Sequence, residues 1–329
     1  MKKIALPKSN LSVTPSFFGT SRLGGTIDHF DKKEALGLLH SALEGGINTI
    51  DTADLYGQGN SEKLIGKVLK GQRDQVIIAT KGGYQMSAKL RWLKGLKPIV
   101  RKLVKRSGSL AKAAGAARGS QIRQNFSPEY LANAVEQSLR RLNTDYIDLY
   151  QLHSPDSETL RRGEAFEALA KLKKEGKIRA FGASLLSWSD LTHCMGHGLS
   201  MVQLEADLLG GGDRSAEITA AKNDELMLVA RQPFASGLFA RSPDQWEPAD
   251  FAGDEGRLKI ARERFEKLTS LGDIYEVILR YLIHHSSFPC FLFATTKTSH
   301  LESNLKMMAG TPFEGDELEI LKNAFSVNL

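Results

Sequence analysis

Short apolar runs alternate with helix-period stretches almost from one end of the chain to the other. This alternation constrains the fold more than any other feature. The runs Pro15–Gly19, Asn48–Asp51, Val76–Thr80, Tyr146–Leu152, Ile178–Ala183, Met201–Leu204, Leu226–Ala230 and Cys290–Ala294 read as strands. Between and after them, Lys32–Glu44, Ser61–Leu69, Pro128–Leu142, Gly163–Lys174, Ser189–Met195, Ser215–Lys222, Ile274–His284 and Ser299–Met307 repeat with helical period. Ser127 before Pro128 marks a helix start, and Gly45-Gly46 and Gly176 mark helix ends. Eight strands alternating with eight helices imply parallel pairing with right-handed crossovers. The expected fold class is α/β, a (β/α)8 TIM barrel with its active site at the C-terminal ends of the strands. An open doubly wound sheet would normally carry G-x-G-x-x-G after its first strand, whereas the turn here reads Gly19-Thr20-Ser21-Arg22-Leu23-Gly24-Gly25.

The expected organisation is a single domain over 1–329. Two segments stand outside the repeat, a basic insertion at 85–125 after the third strand and a loop at 237–257 after the seventh. A C-terminal helix is expected over 314–325. The chain has 44 Lys+Arg against 38 Asp+Glu, a net charge of +6. The insertion contains eleven Lys or Arg and no acidic residue, so the remaining chain sums to 6 − 11 = −5. A nucleic-acid reading drawn from the global charge starts from the wrong premise, and no nucleic-acid partner is expected. Cys194 and Cys290 have no close metal-ligand spacing, so free thiols in a reducing cytoplasm and no metal are expected. No run approaches the roughly 18 apolar residues of a membrane span.

Polar groups close three consecutive strands. The second runs into Asp51, with Tyr56 five residues on; the third ends on Lys81 and the fourth on His153. At one barrel mouth the four can meet. A Lys cation stabilises a phenolate and lowers a Tyr pKa from its usual value near 10. A shift of about three units needs about 4 kcal/mol of differential interaction. A buried Lys needs a counter-charge, which Asp51 can supply. His153 can orient a carbonyl oxygen toward Tyr56. Such a set protonates an oxygen while hydride arrives at its carbon. Taken singly, each residue also has an ordinary reading: a loop cap, a solvated Lys, a satisfied histidine.

The chain resembles the aldo-keto reductase family over essentially its whole length. The resemblance is carried by Gly45-Gly46-Ile47-Asn48-Thr49-Ile50-Asp51-Thr52-Ala53 through Tyr56-Gly57, by Ser61-Glu62, and by Ile78-Ala79-Thr80-Lys81. It continues in Tyr146 through Pro155, Gly176 through Ser184, and Val202-Gln203-Leu204-Glu205. It implies a barrel that reduces carbonyl compounds with NADPH, NADH being less expected, and a catalytic tetrad of Asp51, Tyr56, Lys81 and His153. It places Ser184 and Gln203 on the nicotinamide carboxamide, with Leu185 where the family usually has Asn. Arg231 stands where many members stack a Tyr on the nicotinamide, and its planar guanidinium can stack too. Ser236, Gly237 and Leu238 match the loop over the pyrophosphate, and Gly19 and Thr20 match the first-strand turn. Lys297, Thr298 and His300 fall at the adenosine-phosphate site, where His300 replaces the frequent Arg, and Asn304 at the adenine position.

The implied activity is oxidoreduction of a small aldehyde or ketone, the substrate being either neutral or anionic. The alternative is a non-enzymatic NADPH-binding regulatory subunit on the same fold. Arg22, Tyr84, Trp92, Phe126 and Phe239 are candidate substrate contacts, and each also reads as loop packing. In the insertion, Leu90, Leu93, Leu96, Val100 and Leu103 form a helical stripe with a cationic back. Three readings of it stay open: a lid over the barrel mouth, a contact for an anionic substrate, or a basic amphipathic surface for a membrane, nucleic acid or partner.

Overall fold

A computed structural model describes residues 1–23, 31–86, 122–206, 208–209 and 214–324. A hairpin of β1 (Ile4–Leu6) and β2 (Leu11–Val13) opens the chain. β3 (Ser16–Gly19), α1 (Lys32–Glu44), β4 (Thr49–Asp51), α2 (Asn60–Val68) and β5 (Ile77–Gly82) follow. β6 (Tyr84–Met86) pairs antiparallel with β7 (Ile122–Gln124), so the two ends of the basic insertion form a ribbon. Trp92 and positions 87–121 lie outside the described residues.

Next come α3 (Pro128–Leu142), β8 (Ile147–His153), α4 (Ser157–Arg162), α5 (Glu164–Lys174), β9 (Ile178–Ser184) and β10 (Met201–Glu205). α6 (Ser215–Asn223), β11 (Met227–Arg231), α7 (Glu255–Thr269), α8 (Ile274–His284), β12 (Cys290–Phe293), α9 (Thr298–Met308) and α10 (Gly315–Ala324) complete the chain. β10-β11-β12-β3-β4-β5-β8-β9 close on themselves as a parallel barrel. The expected (β/α)8 architecture is the observed one.

Local chemistry explains several boundaries. The Ser127 hydroxyl accepts from Tyr130 N–H at 3.3 Å ahead of Pro128, and α3 ends on left-handed Asn143. Two elements differ from the expected ones. Residues 188–194 form 3-10 turns rather than an α-helix, opened by Ser187 accepting from Ser189 N–H. The segment expected as a loop to residue 257 contains 3-10 turns and then enters α7 at Glu255, which Asp254 caps. The apolar stripe of α7 is interrupted by buried Arg264, so its periodicity is weak in the sequence.

Two cores follow from strand alternation. An outer core packs strands against helices. An inner core joins Phe17, Ile77, Ala79, Leu149, Ala180, Met201, Met227 and Val229 with Leu6, Leu11 and Val13 of the hairpin. The hairpin thus packs on the strand starts, at the end of the barrel opposite the catalytic candidates. Four of these inner columns turn polar two residues further up: Lys81 follows Ala79, Gln151 follows Leu149, Gln203 follows Met201 and Arg231 follows Val229, with His153 two residues beyond Gln151. The alternation that fills the barrel also builds its mouth.

On the outer side, Gly82 leaves room for Tyr150. A Cβ at position 82 would lie 2.0 Å from the Tyr150 hydroxyl oxygen. That hydroxyl is buried without a hydrogen-bond partner among the described residues. Gly82→Ala should therefore cost about 1–3 kcal/mol in urea unfolding. Tyr150→Phe should be near neutral, because it removes an unpaired buried hydroxyl. The double variant should recover most of the Gly82→Ala loss; purely additive effects would refute the close approach.

Candidate active site

The strand register brings the site together. Gly19 pairs with Asp51, Asp51 with Ala79, Lys81 with Gln151, His153 with Ser184, and Ser184 with Gln203. Asp51 and Lys81 are each 1% exposed and form a direct ion pair. Lys81 Nζ also donates to Thr52 O at 3.0 Å. The second carboxylate oxygen of Asp51 accepts from Gln203 Nε2 at 2.6 Å and Gln151 Nε2 at 3.4 Å. Every charge in this buried pair thus has polar partners, the condition for its persistence.

Tyr56 lies in a 3-10 turn beyond Asp51, and Lys81 Nζ sits 5.4 Å from its ring centroid. His153 meets the Tyr56 ring edge-on at 6.0 Å between centroids and the Tyr84 ring at 5.0 Å. All four expected catalytic side chains therefore share one mouth. Burial pushes the His153 pKa down to about 3, with the Lys81 and Arg231 charges adding to the effect. The imidazole is neutral at physiological pH. Its Nδ1 is buried and has no partner among the described residues.

The first-strand turn has a structural duty. Both the amide and the hydroxyl of Thr20 donate to Asp51 O at 2.9 Å, and the hydroxyl accepts from Ser61 Oγ at 2.7 Å. Thr52 Oγ1 donates to Ser61 Oγ at 2.9 Å. This hydroxyl chain clamps the loop that carries Asp51 toward Tyr56. Gly19 is tight as well, since a Cβ there would meet β12 atoms at 3.2 Å. Ser184 is buried at the end of β9, and Leu185 is wholly buried in the outer core. Arg231 Nη2 donates to Leu185 O at 2.6 Å.

Ser236, Gly237 and Leu238 line a groove of about 550 Å³ together with Arg214, Arg241 and Arg257. Ser236 and Gly237 both have positive φ, 55° and 93°, which turns the chain sharply there. Lys297, Thr298 and His300 are exposed at the start of α9, whose first turn has no side-chain cap, and Asn304 is buried one turn on. An uncapped helix start presents free N–H groups, a favourable setting for an anion.

The substrate candidates divide. Tyr84 forms a wall of the mouth beside His153, and Gln124 Nε2 ties the ribbon to Ser154 O at 2.6 Å. Phe126 is buried, and its ring occupies the space a Cβ on Gly83 would need. Phe239 is buried against Phe265 and Tyr275, 5.9 and 6.0 Å between ring centroids. Arg22 is exposed. Sequence reasoning missed Gln151, Thr52 and Ser61 as supports, and Arg214, Arg241 and Arg257 as groove residues. Gln151 was visible as a polar residue two before His153 on the inner face. The arginines carried no local signal.

Comparison with known proteins gives relatives along most of the chain. The "uncharacterized oxidoreductase YqkF" of Bacillus subtilis is 28% identical, covering 98% of this chain and 96% of its own. The NADH-specific methylglyoxal reductase of Escherichia coli is 30% identical over 72% of this chain and 69% of its own. Among solved structures, an aldo-keto reductase of Bacillus halodurans superposes with a TM-score of 0.72 at 27% identity, covering 98% of this chain and 96% of that one. The model of the aldo/keto reductase family matches residues 17–325, and this chain belongs to that family of oxidoreductases.

Proposed function

We propose that the protein reduces a small aldehyde or ketone with NADPH, Tyr56 being the proton donor. The observation that carries this reading is the buried Asp51–Lys81 pair beneath the Tyr56 ring, facing neutral His153 at one mouth. When bound, the dihydronicotinamide supplies a hydride to the carbonyl carbon. The Tyr56 hydroxyl gives its proton to the carbonyl oxygen, so hydride and proton together make the alcohol. The Lys81 ammonium stabilises the phenolate left behind, and Asp51 and Thr52 O hold that ammonium in place. His153 and Tyr84 bound the space in which the carbonyl sits, and the imidazole hydrogen-bonds its oxygen.

The chain's residues fit a nicotinamide dinucleotide. A carboxamide needs one acceptor and one donor. Gln203 Oε1 and Arg231 Nε are both buried without partners among the described residues. Gln203 spends its amide N–H on Asp51, which leaves its oxygen to accept. Ser184 stands next to Gln203 in the register. The Ser236–Leu238 turn and the three-arginine groove suit a pyrophosphate. Lys297 and the uncapped start of α9 suit the 2′-phosphate, and Asn304 the adenine.

Tyr56→Phe should lower kcat/KM by about 100-fold or more while NADPH still binds, measured by NADPH oxidation and by fluorescence titration. Unchanged turnover would remove Tyr56 from its role. Lys297→Glu should raise the KM for NADPH at least about tenfold and leave that for NADH nearly unchanged. A wild-type preference for NADH would instead align this chain with its Escherichia coli relative.

His153 makes a pH prediction. Its folded pKa of about 3 lies below the ordinary 6.5, so the unfolded chain binds the extra proton. The stability it contributes is complete above about pH 6.5 and is lost as pH falls toward 3. In that window wild type should lose about 1.4 kcal/mol per pH unit more than His153→Gln, read from urea midpoints.

A further inference from the structure

Arg231 is a cation that the proton-transfer set does not use. It ends β11, in register with Glu205 on one side and Leu292 on the other. Its guanidinium reaches past the end of β10 to the carbonyl of Leu185, just beyond β9. It therefore lies across the strand end from which Gln203 projects. Burial holds its pKa below the usual guanidinium value, while Glu205, Tyr56 and Asp51 act in the opposite direction. A guanidinium remains charged under such a shift.

Among the described residues, the charges around this pocket do not cancel. Asp51 and Lys81 neutralise each other in direct contact. His153 is neutral at physiological pH. Glu205 is exposed, so water screens its charge. Among the described residues the Arg231 cation remains, with its Nε–H buried and without a partner. A neutral group with a hydrogen-bond acceptor is welcome there. A second cation is not, because repulsion between unit charges several ångströms apart at an effective dielectric near 20 amounts to about tenfold or more in binding.

We infer that Arg231 makes this site discriminate by redox state, holding the neutral dihydronicotinamide by its carboxamide oxygen and disfavouring the pyridinium cation. The inference rests on the dinucleotide reading above. Its consequence is directional. The reduced cofactor binds tightly, the oxidised product leaves readily, and alcohol oxidation is handicapped at the binding step. The oxidised and reduced dinucleotides have the same adenosine and phosphate groups, so the ratio of their affinities isolates the nicotinamide end.

The test is calorimetric titration of wild type, Arg231→Gln and Arg231→Lys with NADPH and with NADP⁺, after thermal melts confirm folding. Wild type should bind NADPH at least about tenfold more tightly than NADP⁺. Arg231→Gln should bring the ratio close to one, mainly by strengthening NADP⁺ binding. Arg231→Lys should keep the ratio while weakening both ligands, since charge is retained and the planar donor set is lost. A purely packing role would weaken both forms equally in Arg231→Gln and leave the ratio where it was, which would overturn the inference. Equal affinities in wild type would overturn it too. If Arg231→Gln fails to fold, Arg231→Met carries the same test. Wild type binding neither dinucleotide would instead defeat the cofactor reading on which the inference stands.

Discussion

The buried contact between Asp51 and Lys81 is the constraint around which the rest of the barrel mouth is arranged. Two charges removed from water are stable only when their remaining polar positions are filled. Asp51 comes from β4, Lys81 from β5, and the amides that complete the carboxylate shell come from Gln151 on β8 and Gln203 on β10. The contact thus links four strands through the barrel interior. Removing one partner alone strands the other charge, at a typical cost of about 3–5 kcal/mol. A well-packed apolar pair would serve stability as well or better. An apolar pair could not, however, stabilise a phenolate above it, which is what a fixed ammonium beneath a phenol can do.

A second layer protects this geometry without touching the mouth. The Thr20–Ser61–Thr52 hydroxyl chain fixes the backbone at the Asp51 carbonyl and at the residue after it. Thr80, whose side chain faces outward between inward-facing Ala79 and Lys81, donates to Glu62 on α2 at 2.8 Å. Glu62 in turn pairs with Arg141 of α3 at 2.5 Å. The helix that follows Tyr56 is therefore tied to the strand that carries Lys81 and to the next helix along. The distance from phenol to ammonium is held from both directions.

Much of this was legible in the sequence, for a definite reason. Strand alternation distinguishes inside from outside, and strand ends locate the mouth, so Asp51, Lys81 and His153 could be placed from their positions alone. Gln151 and Gln203 obey the same rule two residues along. What escaped was whatever periodicity does not encode. β1 and β2 are three residues each, too short to show a pattern, although Leu6, Leu11 and Val13 fill the inner core. α7 hides behind its buried Arg264. Phe126 and Phe239 follow strands and look like pocket walls; Phe126 also fills the space over Gly83, while Phe239 both packs against aromatic neighbours on α7 and α8 and lines the groove beside Ser236. Arg231 is a strand-end residue like Lys81, but the carbonyl it reaches lies 46 positions earlier and carries no side-chain signal.

Net charge proves a poor guide to what this molecule can hold. Outside the insertion the chain sums to −5, which argues superficially against a polyanionic cofactor. Fields in a cleft are set by the nearest groups rather than by the total. Arg214, Arg241 and Arg257 line one groove, and Arg231 stands at the barrel mouth. Acidic partners tether groove arginines in place, Glu217 holding Arg214 at 3.2 Å and Asp250 holding Arg241 at 2.6 Å. Such tethers fix the guanidinium planes before any anion arrives, so a phosphate need not order them on binding. The acidic excess and the anion-binding role proposed for the groove are thus compatible, since part of the first holds the groove arginines in position.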